Sequence, residues 1–359
     1  MSRSAHLQKL AVAMTGRHGG VVRIAPEDRL LEAVTSRFVE TAAEGARIVL
    51  LGATMEGLAE RLEAATSARG ARIDLIEPDL RRRTRSGAAA QAWRDLAFGD
   101  LATDPAHAQA LLAEAPPHDL AALRAVTAQL LDVAAQKPVI ADETVDSVLI
   151  DLVANRLPAA KYDRTLAETY RVLARGGRLV TAVLVADEPP PAVFETRIGA
   201  ERIETVPLEI DALAQIAAAG FHGLTIETPL VGAVAAEKGV ELRLFLISAY
   251  KGKVGPCCDQ GHAVIYRGPW SETVDDDGHR YRRGERTAVC SKTHALLMSP
   301  PYAGQFVSLP PFPMIPLDKA PLFDCNTPSL RDPAITKGHR SVLDGRDEDA
   351  SCCAPGGVC

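Results

Sequence analysis

The chain has 359 residues, of which 47% are hydrophobic and 24% are charged. A chain of this length has about two domains, and its composition is that of a globular protein with a sizeable core, which excludes a mostly disordered chain. Its 40 basic and 46 acidic residues give a net charge of -6. That balance excludes a chain-wide electrostatic grip on nucleic acid or on an anionic membrane surface, and neither is expected as a partner.

The distribution of the cysteines is uneven, because the first 256 residues contain none. The seven cysteines are Cys257, Cys258, Cys290, Cys325, Cys352, Cys353 and Cys359. We find no secretion signal and no apolar run of about 18 residues, so we expect a cytoplasmic protein. In a reducing cytosol, clustered thiols are more typical of soft-metal ligands or redox groups than of disulfides.

Helices and strands are predicted to alternate through the first two thirds of the chain. Apolar residues at helical spacing predict helices over 26–43, 56–70, 103–136 (two inserted helices), 163–174 and 208–219. Short apolar runs predict strands over 47–52, 71–77, 146–151, 178–184, 224–228 and 241–250. The helix over 163–174 is expected to end at a Gly176-Gly177 cap. A strand, a glycine, a helix and a strand that ends in an acid open a parallel α/β sheet.

The composition changes at Lys251, where prolines, glycines, cysteines and isolated charges replace the alternation. Short strands are predicted over 263–266 and 279–290. The predicted organisation is an N-terminal helical segment (1–44), an α/β domain (45–250), a small β-rich domain that contains cysteines (251–325) and a flexible tail that also contains cysteines (326–359).

A distinctive stretch runs from Asp142 to Pro189 and contains DETVDSVLIDLVANRLP and DRTLAETYRVLARGGRLVTAVLVADEP. It resembles the part of arsenite methyltransferases that holds the fourth strand, a helix ending in YRVLxxGG and the fifth strand. Residues 45–250 as a whole resemble a class I S-adenosylmethionine-dependent methyltransferase domain. The resemblance implies a Rossmann-like α/β sheet with helices on both faces, and S-adenosylmethionine as the cofactor.

The same resemblance implies cofactor-binding roles for Gly52, Gly57, Glu77 and Asp100. The family carries an acid and several glycines after its first strand, because the backbone approaches the methionine part of the cofactor closely. Here Leu50 stands in place of the acid, and an Ala-Thr-Met run after Gly52 replaces the middle glycines. Glu77 ends the second strand and is placed to accept hydrogen bonds from a ribose, and Asp100 to contact an adenine amino group. A simple turn and a solvated strand end are the alternatives.

The segment from Cys257 to Thr293 reads CCDQGHAVIYRGPWSETVDDDGHRYRRGERTAVCSKT. With its first cysteine, its YRG strand, its acidic turn with His279 and its VC strand, it resembles the C-terminal domain of long bacterial arsenite methyltransferases. The LFDC run and the SCC run near the C-terminus match further segments of that family. The resemblance implies that the metal or metalloid ligands come from Cys257, Cys258, Cys290, Cys325, Cys352 and Cys353.

Thiolates are the ligands that trivalent arsenic and other soft ions prefer. Three sulfurs hold trivalent arsenic in a pyramid and leave its lone pair free to accept a methyl group from S-adenosylmethionine. Such a reaction needs positioning and no general base, so we assign no catalytic residue. The sequence therefore predicts a methyltransferase-like enzyme that acts on thiolate-bound arsenic or a similar metalloid, with a thiol reductant as partner.

The chain departs from the family in its N-terminal part. Arsenite methyltransferases carry reactive cysteines inside the methyltransferase domain, one of them just after the fourth strand, where this chain has Leu152. The missing thiols and the altered loop favour an alternative, a non-catalytic protein of this fold that binds or delivers a soft metal or metalloid. A structural zinc site at Cys257, Cys258 and Cys290, with Cys325 or His279, is a rival, although adjacent cysteines fit zinc spacing poorly. Methylation of an ordinary small molecule is a further alternative.

Overall fold

The computed structural model describes residues 21–24, 27–41, 43–52, 57–67, 69–76, 112–114, 116–136, 140–190, 195–198, 201–227, 233–237, 239–252, 257–327 and 329–344. The chain forms two compact units, residues 1–251 and residues 252–359. Within the described ranges, no helix combines the length and the apolar character needed to cross a membrane.

The N-terminal unit contains the alternating helices and strands. Its strands are β1 (Val21–Ile24), β2 (Arg47–Leu51), β3 (Arg72–Ile76), β4 (Val145–Asp151), β5 (Leu173–Ala186), β6 (Glu195–Ile198), β7 (Glu201–Ile203), β8 (Phe221–Ile226), β9 (Ala235–Glu237) and β10 (Val240–Lys251). Its helices are α1 (Glu27–Thr41), α2 (Leu58–Ser67), α3 (Leu120–Gln136), α4 (Ala159–Val172) and α5 (Glu209–Ala218). Helix α3 covers the second half of the predicted two-helix insertion, most of whose first half lies outside the described residues.

The main sheet has the strand order β3-β2-β4-β5-β10-β8, with β9 paired to β10. Strand β2 is parallel to β3 and to β4, and β4 is parallel to β5. Strand β10 lies antiparallel between β5 and β8. One antiparallel strand inserted near the edge of a parallel sheet in this order is the arrangement of class I methyltransferases, so the predicted fold class is confirmed. Strands β1, β6 and β7 form a separate three-stranded sheet.

Helices cover both faces of the main sheet, as predicted. Helices α1 and α2 pack on one face, where the buried side chains are Leu31, Val34, Phe38, Leu58 and Leu62 with Ile48 and Leu50 of β2. Helices α4 and α5 pack on the other face, where the buried side chains are Tyr162, Leu166, Ala212 and Ile216 with Val148 and Ile150 of β4. Strands buried on both faces have near-continuous apolar sequences, which is why the runs at β2 and β4 were recognisable.

The predicted glycine cap after α4 is wrong. The helix ends at Val172, and Leu173 already begins β5. Gly176 lies within β5 with φ +77°, and the pairing of β4 with β5 shifts register between Val145 and Ser147. A glycine at positive φ inside a strand is typical of a bulge, which explains why it resembled a helix end in the sequence.

The C-terminal unit is built from short strands and two short helices. They are β11 (Ala263–Tyr266), β12 (Glu272–Val274), β13 (Arg280–Arg282), β14 (Arg286–Ala288), α6 (Ser291–Leu297), β15 (Phe306–Leu309) and α7 (Pro333–Thr336). Strand β11 lies between β14 and β15 in an antiparallel sheet, and β12 and β13 form a hairpin. Residues 329–344 pack on this unit, so the tail begins later than the predicted residue 326: Arg331 and Val342 are buried there.

Candidate functional site

Three of the predicted cysteine ligands meet in the C-terminal unit. The sulfur atoms of Cys257, Cys290 and Cys325 all lie within 4.8 Å of one another. All three are free thiols; Cys290 is buried, and Cys257 and Cys325 are partly exposed. We call this group the three-thiol site. Its three sulfurs are separated by 33 and 35 residues along the chain, so the fold alone brings them together.

Backbone hydrogen bonds place the three thiols. The amide of Phe323 donates to the Cys257 carbonyl at 2.8 Å, which fixes the segment that leads to Cys325. The amide of Ser291 donates to the Cys258 carbonyl at 2.9 Å, which fixes the segment that begins at Cys290. Both segments are therefore attached to the short stretch that carries Cys257.

Cys290 is also the residue that caps helix α6. Its sulfur accepts a hydrogen bond from the Thr293 amide at 3.3 Å and donates to the Thr293 hydroxyl at 3.2 Å. A side chain that bonds the first free amides of a helix holds the helix start in one geometry. The Cys290 sulfur is thus held at the site by its own helix.

The charges around the site divide the roles of two thiols. Burial raises the pKa of Cys257, but hydrogen bonds from Cys325 and Lys292 outweigh it, so that the pKa of Cys257 lies below the ordinary thiol value. Burial and the hydrogen bond to Cys257 raise the pKa of Cys325 well above that value. Cys257 is therefore the thiolate of the site, and Cys325 is a thiol that donates to it.

We expect iodoacetamide to alkylate Cys257 faster than Cys290 or Cys325 at about pH 7, because the reactive species is the thiolate. Replacing Lys292 by alanine removes a cation and a hydrogen bond from this thiolate, so the pKa of Cys257 should rise and its labelling should slow severalfold. Peptide mass spectrometry across a pH series measures both effects. Lys319→Ala is the control, since Lys319 is exposed. Faster labelling of Cys325 contradicts the assignment.

The other predicted cysteine ligands do not belong to this group as the structure describes it. Cys258 is fully buried against Ala320 and Ile315, and it is disulfide-bonded. It forms an isolated antiparallel bridge with Leu322. Neighbouring residues of an extended segment point to opposite sides, which separates Cys258 from Cys257. Cys352 and Cys353 lie outside the described residues.

A small pocket adjoins the three-thiol site. Cys290 and Cys325 line it together with the rings of Tyr281 and Phe323 and the hydroxyl of Thr293. The pocket gives two of the sulfurs a free side next to aromatic and hydroxyl groups. A ligand of the thiols therefore has space beside it.

The acidic turn singled out in the sequence has a structural role. The Asp275 carboxylate accepts hydrogen bonds from the Tyr281 hydroxyl at 2.9 Å and the His279 amide at 2.9 Å, and it contacts His279 Nδ1 at 2.9 Å. These bonds hold the turn between β12 and β13. His279, which the zinc alternative used as a ligand, is grouped with Asp275 and Asp277 and not with the thiols.

The residues predicted to bind the cofactor fall into two sets. Gly52 and Gly57 lie between β2 and α2 with φ +69° and +81°. Glu77 and Asp100 lie outside the described residues, so their roles stay predictions. Leu152, which stands where the family has a thiol, is fully buried in the core.

The described residues do not fit the methionine part of S-adenosylmethionine. A Cβ added to Gly52 would overlap Nη2 of Arg156 and lie 3.0 Å from Val153 Cγ2. The bare face of this glycine, which the family leaves open for the cofactor, is therefore covered by side chains of the same chain.

The comparisons with known proteins concern the C-terminal domain and the overall fold. Residues 253–341 match the model of a family described as Domain of unknown function (DUF8838). No curated protein matches the chain.

Similar solved structures include three with methyltransferase or uncharacterised descriptions. An arsenic (III) S-adenosylmethionine methyltransferase from Chlamydomonas reinhardtii is 17% identical, with 86% of this chain and 99% of that chain covered and a TM-score of 0.39. A possible histamine N-methyltransferase from Thermotoga maritima is 15% identical, with 62% and 89% covered and a TM-score of 0.35. The YcgJ protein from Bacillus subtilis is 10% identical, with 62% and 100% covered and a TM-score of 0.39. The fold class rests on the strand order and pairing given above.

Proposed function

We propose that this protein captures a trivalent soft metalloid, with arsenic(III) as the leading substrate, on the sulfurs of Cys257, Cys290 and Cys325. The observation that carries the proposal is the meeting of three free thiols within 4.8 Å of one another. Thiolates are the preferred ligands of soft ions, and three sulfurs satisfy trivalent arsenic completely.

The capture step exchanges oxygen for sulfur without oxidation or reduction. Arsenous acid loses its three hydroxyl groups, and each leaves as water with the proton of one thiol, while three arsenic–sulfur bonds form. Cys257 attacks first, because hydrogen bonds from Cys325 and Lys292 lower the pKa of its thiol. Cys325 and Cys290 then deliver their protons to the remaining hydroxyl groups.

Zinc is the rival occupant of the same sulfurs. A structural zinc ion is almost always held by four protein ligands in a tetrahedron. Among the described residues the group has three ligands, and His279 belongs to the acidic turn. A three-ligand set matches the pyramid of trivalent arsenic better than the tetrahedron of structural zinc.

Methylation of the captured metalloid, as in arsenite methyltransferases, is the second candidate function. The strand order of the main sheet favours it, because that order is the one on which S-adenosylmethionine-dependent methyltransferases are built. The arsenic lone pair would be the acceptor. This candidate requires the N-terminal unit to accept the cofactor despite Arg156.

Free thiols set the cellular conditions that the proposal requires. A cluster of reduced cysteines is maintained where glutathione and thioredoxin keep thiols reduced, so we place the protein in the cytoplasm. A small thiol reductant is the partner that this chemistry calls for. It would keep Cys257 and its two neighbours available for arsenic.

One incubation tests both functions. The reduced protein is mixed with arsenite and methyl-labelled S-adenosylmethionine, freed of small molecules, and assayed for bound arsenic and labelled arsenic. Capture predicts about one arsenic per chain and no labelled arsenic. Labelled methylarsenic supports the second candidate. Protein whose thiols were alkylated beforehand is the control, and arsenic retention no higher than in this control contradicts capture.

A further inference from the structure

The ends of strands β2 and β4 define a crevice in the N-terminal unit. The two strands are adjacent and parallel, with Leu51 opposite Ile150. From β2 the chain continues to β3 on one side, and from β4 it continues to β5 on the other side. Such a switch in direction at the carboxyl ends of a parallel sheet is where open α/β proteins bind their ligands. We call the space next to Gly52 and Asp151 the switch-point crevice.

The side chain of Arg156 occupies this crevice. Arg156 is 2% exposed, although it carries a charged group. Its Nη2 lies where a Cβ of Gly52 would be, so the guanidinium rests directly on the bare glycine backbone. Val153 covers the same glycine, with its Cγ2 3.0 Å from that Cβ position. Only a glycine at this place leaves room for the guanidinium.

The turn that carries Arg156 is anchored on both sides of the residue. The Asn155 side chain donates to the Leu184 carbonyl at 2.8 Å and the Thr205 carbonyl at 2.9 Å, and it accepts from the Leu184 amide at 2.8 Å. Leu157 is buried in the core. With both neighbours fixed, the backbone cannot carry the guanidinium out of the crevice without breaking these contacts.

The charge of Arg156 opposes S-adenosylmethionine as well as its volume. A guanidinium keeps its proton in proteins, and the cofactor's reactive sulfur is itself a cation. Two like charges in a water-poor crevice repel each other more strongly than in water. We propose that Arg156 fills the switch-point crevice in place of a cofactor and closes this methyltransferase fold to S-adenosylmethionine. The inference concerns the N-terminal unit and does not depend on the three-thiol site.

Calorimetry with two probes gives the first test. S-adenosylmethionine carries the sulfonium charge, and S-adenosylhomocysteine lacks it. We expect the intact wild-type protein to bind neither with a Kd below about 1 mM, and Arg156→Ala to bind S-adenosylhomocysteine at least about tenfold more tightly than wild type. Wild-type binding of either probe below about 100 µM overturns the proposal. A folded Arg156→Ala protein with no gain in affinity overturns it too.

A second test needs no change at Arg156. Gly45 and Gly52 both have φ +69°, but a Cβ on Gly45 meets nothing within 4 Å. Alanine at either position suffers the same backbone strain, and only Gly52→Ala meets the guanidinium. We expect Gly52→Ala to lower the Tm at least about twice as much as Gly45→Ala. Equal losses would show that the guanidinium does not lie on Gly52.

The two proposals fail separately. Arsenite capture by Arg156→Ala should equal capture by wild type, because the three thiols lie in the other unit. A protein that captures arsenite and also binds S-adenosylmethionine contradicts only the inference about Arg156. A protein that binds neither contradicts only the proposed capture.

Discussion

Replacing any one of Cys257, Cys290 and Cys325 by serine is expected to weaken arsenic(III) binding at least about 100-fold, which is about 2.7 kcal/mol. Each substitution exchanges a soft sulfur for a hard hydroxyl oxygen and leaves two thiolates. Cys290→Ser is the most informative variant, because serine is a good helix cap and should keep the start of α6 in place. Its loss of affinity then reports the sulfur and not the fold.

Equilibrium titration of the reduced proteins with arsenite measures this effect. Cys258→Ser is the matched control, because Cys258 is adjacent to Cys257 in sequence yet is buried against Ala320 and Ile315. We expect its affinity to stay within about threefold of wild type. Equal weakening in Cys258→Ser and Cys257→Ser, or full affinity in Cys290→Ser, contradicts the assignment of the three ligands.

Removing the carboxylate of Asp259 is expected to destabilise the C-terminal unit by about 3–5 kcal/mol. Arg331 bonds this carboxylate through Nη1 at 3.1 Å and Nη2 at 2.7 Å, and it donates from Nε to the His262 carbonyl at 3.1 Å. The two charged side chains are 6% and 5% exposed. Asp259→Ala therefore leaves a buried guanidinium without its counter-ion. Because Asp259 follows the cysteine pair, arsenite capture should weaken with the fold.

Urea denaturation of the full chain measures the loss, and two variants sharpen it. The double variant Asp259→Leu/Arg331→Leu removes both charges and should be less destabilised than Asp259→Ala. Glu272→Ala breaks a surface ion pair with Arg280 and should cost at most about 1 kcal/mol. An Asp259→Ala loss no larger than the Glu272→Ala loss contradicts the role given to the buried pair.

The fold was predictable because its signals are local. Buried parallel strands have apolar runs, and amphipathic helices have apolar residues at helical spacing, so β2, β4 and α5 could be read from the sequence. The thiol cluster was predictable only as a composition. Which member of the Cys257-Cys258 pair faces the other thiols depends on the bridge to Leu322, which no local pattern shows.

Long charged side chains account for what the sequence did not reveal. Arg156 lies in an otherwise apolar run, and nothing local indicates that it reaches back over Gly52, more than a hundred residues earlier. Arg331 lies in a polar stretch that was predicted to be a flexible tail, yet its partner Asp259 neutralises it inside the C-terminal unit. Lys292 follows Cys290 closely, and a cation beside a cysteine was the one signal that could have been used.

The most direct measurement of the central claim is arsenic K-edge X-ray absorption of the reduced protein loaded with arsenite. Capture on Cys257, Cys290 and Cys325 predicts a first shell of three sulfur atoms with no oxygen, which disappears in the triple serine variant. An oxygen-containing shell in the wild-type protein, or a three-sulfur shell that persists in the triple variant, would contradict the account.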